Sequence, residues 1–174
     1  MTARRRTTAL LALPALLLPL AGCGADLADR DPDATLVDLA FTDSSVPPEY
    51  HRSWELLVDS EATVSTVTDY EEVLDEGSAE TDPQAWQEFL DALPDLVDDA
   101  DGAGDDPDDC AGGTTLTIVV HDAEPGEVDR GAADEVSETT VGSCAGGEEI
   151  DAVLRAVTPL AEPTGLPREA RTWP

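Results

Sequence analysis

The sequence predicts a single α+β domain, an antiparallel sheet of about five strands with two helices packed on one face. Three observations carry that prediction. Several short segments alternate apolar and polar residues, two later segments space apolar residues by three, four and seven, and proline, glycine and acidic turns stand between them. A length of 174 residues suits one domain.

The first strand is expected over Thr35 to Thr42, where Val37, Leu39 and Phe41 share one face. A loop follows at Pro47 and Pro48. Ser53 to Asp59 turns Trp54, Leu56 and Val58 inward, and a polar turn near Asp59-Ser60-Glu61 leads into Thr63 to Tyr70, so these two runs read as a hairpin. Val73-Leu74 can extend the sheet by one more short strand. Thr81 or Asp82 can then cap a helix with Pro83 in its first turn and a core stripe of Trp86, Phe89, Leu90 and Leu93, which Pro94 stops or kinks. Asp98 to Asp109 holds seven acids with glycines and a proline and reads as a solvated loop.

Beyond it, Thr115 to His121 alternates strictly, with Leu116, Ile118 and Val120 on one face. Glu124-Pro125-Gly126-Glu127 carries the pattern of a type II turn. A weaker strand follows over Glu135 to Ser143. Glu148 to Val157 then sets Ile150, Val153, Leu154 and Val157 at helical spacing, and Pro159 ends that helix. The expected order is ββ(β)αββα. Residues 163–174 form a proline-rich tail in which Trp173 can dock on the body.

Charge narrows the function classes. Nine basic residues, all arginine, stand against 39 acids for a net charge of −30. Nucleic acid is not an expected partner, because neutralising phosphates takes a basic face. The absence of lysine also removes phosphate-loop lysines and Schiff bases.

The amino terminus points to export. Residues 1–23 contain no acid, begin with Arg4, Arg5 and Arg6, and continue from Ala9 to Leu20 as twelve apolar or proline residues. That is a secretory signal pattern, too short and too proline-rich for a permanent span of about 20 residues. It ends in Leu20-Ala21-Gly22-Cys23, which resembles the lipobox of bacterial lipoproteins. The resemblance implies that the Cys23 thiol takes a diacylglyceryl group, that residues 1–22 are removed, and that the chain is held on the outer, extracytoplasmic side of the cell membrane by its lipid. Two acyl chains attach stably where one does so marginally. The mature part is also similar in composition, over residues 35–160, to small lipoproteins exported by high-GC bacteria, a likeness that transfers no functional residue. On this reading residues 23–34 are an acidic tether, 35–162 the domain and 163–174 the tail. The mature chain would carry six arginines against 39 acids, or −33.

With Cys23 on lipid, Cys110 and Cys144 remain as an even pair in an oxidising compartment, which favours a disulfide. A redox pair would want Cys-x-x-Cys, and a closed zinc site more Cys and His. Both cysteines of the pair are followed by Ala-Gly-Gly, an echo best explained by close backbone packing around a bridge. In the acidic loop an EF-hand register fails, with Ala103 at the fifth position and Cys110 at the twelfth, so calcium there would need an irregular site.

No catalytic set, metal site or cofactor is expected. There is no Gly-x-Ser-x-Gly elbow, and His121-Asp122 reads as a surface strand end rather than part of a triad. Carboxylate pairs cannot be selected among 39 acids. Tyr50, His51 and Arg52, between the Pro-Pro loop and the Trp54 strand, form a candidate recognition edge, against which stands simple local pairing at a strand entry. The expected function is a lipid-anchored, non-enzymatic binding or interaction module with a cationic or envelope partner. A lipid-anchored cell-wall hydrolase and a calcium-binding envelope protein are the alternatives.

Overall fold

A computed structural model describes residues 27–70, 72–103, 113–123 and 133–166, with the backbone alone of 144–146. The elements are β1 (Thr35–Thr42), β2 (Ser53–Val58), β3 (Ala62–Asp69), β4 (Glu72–Glu80), α1 (Pro83–Gly102), β5 (Thr115–Asp122), β6 (Asp134–Gly142) and α2 (Ser143–Ala161). All six strands form one antiparallel sheet in the order β4-β3-β2-β1-β5-β6. The architecture is therefore α+β, with six strands rather than about five.

Strand periodicity sets the two faces of the sheet. On one face Val37, Leu39 and Phe41 of β1 lie opposite Val58, Leu56 and Trp54 of β2 and opposite Val120, Ile118 and Leu116 of β5. These side chains share one core with Trp86, Phe89, Leu93 and Val97 of α1 and Ile150, Val153 and Val157 of α2. The other face carries Asp38, Ala40, Glu55, Thr66 and Thr117 and lies outside that core. Being central, β1 is buried on both sides: Leu36 and Asp38 are inaccessible although they face away from the main core.

Asp82 caps α1, its Oδ1 accepting the Gln84 and Ala85 N–H groups at 2.9 Å each. The helix does not stop at Pro94 but runs to Gly102. A helix-interior proline costs about 3 kcal/mol, and full burial of an aliphatic side chain returns about 1.5–3 kcal/mol. Val97 and Ala100 continue the buried stripe beyond the proline and Leu96 packs partly against it, so the burial offsets the lost hydrogen bond. Asp98, Asp99 and Asp101 are accordingly helical and not part of a loop. For the same reason α2 passes Pro159, burying Leu160 and Ala161, and it begins at Ser143 rather than Glu148.

Val73-Leu74 belongs to a full nine-residue edge strand, not a short extension. Its exposure and four acids hid it from apolar periodicity. The chain is also attached to the fold earlier than a tether would be. Leu27 packs against the core, the Arg30 guanidinium pairs with Asp122, and the Trp86 indole N–H donates to the Pro32 carbonyl at 3.2 Å. At the other end a 3-10 turn, Glu162–Thr164, packs on β4, and Leu166 is buried. Trp173 and the Glu124–Glu127 turn lie outside the described residues.

Candidate functional site

β1 ends, β2 begins and β3 ends at the same edge of the sheet, because the three strands are antiparallel neighbours. On the open face this places two cross-strand rows side by side. Ala40, Glu55 and Thr66 form one row; Thr42, Ser53 and Thr68 form the next. These six residues floor a trough of about 460 Å³, whose walls include Asp43, Ser45, His51 and Tyr70. A second, more open hollow of about 560 Å³ touches Tyr70 together with Pro48, Asp69 and Glu72. Tyr70 thus borders both.

The wall at Asp43 is built by the segment joining β1 to β2. The Asp43 carboxylate accepts the Ser44 N–H at 2.7 Å through Oδ1 and the Arg52 N–H at 3.0 Å through Oδ2. It thereby pins both ends of the 43–52 segment. The Arg52 guanidinium turns back onto the carbonyls of His51, Pro48 and Glu49 instead of facing the trough.

Tyr70 occupies the left-handed region, with φ of 50°, at the tight turn between Asp69 and Glu72. An L-residue other than Gly, Asn or Asp sits there at a cost of roughly 1–2 kcal/mol. The conformation turns the tyrosine ring over the imidazole of His51, with ring centroids 3.9 Å apart and planes 15° from parallel. The phenol donates to the Val46 carbonyl, tying the hairpin to the 43–52 segment.

Hydrogen bonding fixes the state of His51. The Tyr70 backbone N–H can only donate, and it donates to His51 Nδ1 at 3.2 Å. Nδ1 therefore carries no proton, and the neutral ring bears its hydrogen on Nε2. That hydrogen points to Ser53 Oγ, 3.3 Å away, which also accepts the Asp43 N–H at 3.0 Å. A base for nucleophilic attack would need the opposite arrangement, an unprotonated Nε2 facing the hydroxyl. Ser53 Oγ is held as an acceptor of two hydrogen bonds.

No family model, curated protein or solved structure matches the chain.

The candidate recognition edge is thus divided. His51 is buried and lines the trough, Tyr50 is 68% exposed and does not, and Arg52 serves the loop. Sequence reading missed Asp43, Ser53 and Tyr70. The available signal was the hairpin register, which sets Ser53 opposite Thr68 at the mouth of the trough.

His121 is not a surface strand end: it is buried on the open face, while Asp122 is exposed on the opposite one. Successive strand residues point apart, so the two cannot act as a dyad. Among the described residues no three His, Cys, Asp or Glu side chains group as a metal site, and no helix is long and apolar enough to cross a membrane. Cys23, Cys110 and the Cys144 side chain, with residues 104–109 of the acidic segment, lie outside the described residues.

Proposed function

We propose that this chain is an exported, lipid-anchored module of the cell envelope that binds a ligand without chemical conversion, using the trough beside Tyr70. The observation that carries the binding reading is the hydrogen-bonded state of His51. Its ring donates toward Ser53 and so presents a fixed polar wall, not a proton acceptor for a nucleophile.

The anchoring part rests on Leu20-Ala21-Gly22-Cys23 and on where the fold begins. Four peptide steps separate Cys23 from Leu27 and reach at most about 14 Å. The domain would therefore sit close to its lipid, despite repulsion between anionic headgroups and acidic protein over a Debye length of about 8 Å. β1 leads away from this amino-terminal segment, and its eight residues cover roughly 26 Å before reaching the trough. Lipid at one pole and ligand site at the other would present the trough to the envelope rather than to the bilayer.

Mass spectrometry of the native product tests the anchor. A diacylglyceryl-modified Cys23 at the amino terminus is expected, with Cys23→Ser abolishing both modification and membrane retention. An unmodified thiol there, or wild-type protein free in the medium, removes the anchor from the account.

A disulfide between Cys110 and Cys144 belongs to the same exported reading. It is supported by the pairing of Ser143, next to Cys144, with Thr114, four residues after Cys110: the Ser143 N–H donates to the Thr114 carbonyl at 2.9 Å, and the Thr114 N–H donates to Ser143 Oγ at 3.1 Å.

A further inference from the structure

The chemistry of the trough narrows its ligand, provided that the trough is the binding site proposed for it. We infer that the trough takes an uncharged saccharide, with one sugar unit against the hydroxyl floor and the chain continuing past Tyr70. Four residues of the floor, Thr42, Ser53, Thr66 and Thr68, present hydroxyls from neighbouring strands, and Ser45 adds another from the wall. Such groups both donate and accept, matching a molecule whose own hydroxyls do the same.

Charge selects against the other polar ligands. The residues lining the trough include Asp43 and Glu55 and no arginine, in a chain of net charge −30, so a phosphate or carboxylate ligand would be repelled. Nor is the trough built as a cation cage. Both Asp43 oxygens already accept backbone N–H groups, and His51 and Tyr70 lie face to face instead of enclosing a site between them. The Tyr70 ring, 51% exposed and strained into place, offers an apolar surface for the C–H face of a sugar ring. Because Tyr70 borders the trough and the second hollow, a ligand longer than one unit can lie across it.

The test is titration of the full chain in detergent micelles with three probes: a neutral N-acetylglucosamine trimer, spermidine and inorganic phosphate. Calorimetry reads affinity, and NMR reads the backbone N–H of Thr68 on the floor of the trough. Tyr70→Gly removes the ring while suiting the left-handed backbone, so the variant is expected to stay folded. The saccharide should bind and shift the Thr68 resonance, with affinity at least tenfold weaker in Tyr70→Gly and in Ser53→Ala. Phosphate should not bind. Saccharide binding unchanged in Tyr70→Gly would overturn the assignment. If spermidine binds in a Tyr70-dependent way and the trimer does not, the trough remains a binding site and the saccharide inference fails; if no probe moves Thr68, both readings fail.

Discussion

His51 and Tyr70 are held together twice, by a ring stack of 3.9 Å and by a hydrogen bond from the Tyr70 backbone N–H to Nδ1. The two contacts separate by substitution. Tyr70→Phe keeps the stack and loses the phenol's bond to Val46, with an expected cost of about 0.5–1.5 kcal/mol. His51→Phe keeps ring area but leaves the Tyr70 N–H and Ser53 Oγ without their imidazole partner, and should cost about 1–3 kcal/mol. Urea denaturation measures both, and equal losses would deny the imidazole its positioning role.

Gly77 of β4 faces the 3-10 turn after α2. A Cβ there would lie 1.9 Å from the Thr164 carbonyl oxygen, which is backbone and cannot swing aside. Gly77→Ala is expected to destabilise by about 1–3 kcal/mol and to loosen the packing around Leu166, lowering the urea midpoint. Gly102→Ala is the control. Nothing lies within 4 Å of its Cβ position and the residue is helical, so the change should be neutral or stabilising by up to about 1 kcal/mol.

Thr63 and Thr81 form a buried hydroxyl pair at 2.9 Å that joins β3 to the segment before α1. Either Thr→Val change alone strands a buried hydroxyl, at about 1–3 kcal/mol. The double variant should recover most of that loss, because both polar partners disappear together. A thermodynamic cycle of the four proteins checks this, and additive single effects would show that the pair is not coupled.

The proposed Cys110–Cys144 bridge closes a loop of about 35 residues and should stabilise by about 3–4 kcal/mol in the chain-entropy model. Cys110→Ser, Cys144→Ser and reduction of the wild type are then expected to lower the midpoint by the same amount. Three unequal shifts, or none on reduction, would reject the bridge.

Much of the fold was legible because it follows local rules. The alternation in Thr35–Thr42 and Thr115–Asp122, and the stripe Trp86-Phe89-Leu90-Leu93, were visible because each segment hides one face from water. Local rules failed where burial outweighed them, at Pro94 and Pro159, and where there was little burial to see, along β4. The trough was legible only at His51. Asp43, Ser53 and Tyr70 are ordinary residues in sequence and acquire a role by meeting at one end of three strands.

The sequence by itself determined the apolar run before Cys23, the acidic charge, the absence of lysine and the α+β class, since each is a property of composition or short-range periodicity. Tertiary structure alone decided that His121 is buried, that His51 donates instead of accepting at Nε2, and that a tyrosine occupies a backbone conformation suited to glycine. The physical reason is that strand register and hydrogen-bond direction depend on residues distant in the chain. A ring's tautomer and a backbone's strain are set by those partners, not by sequence neighbours.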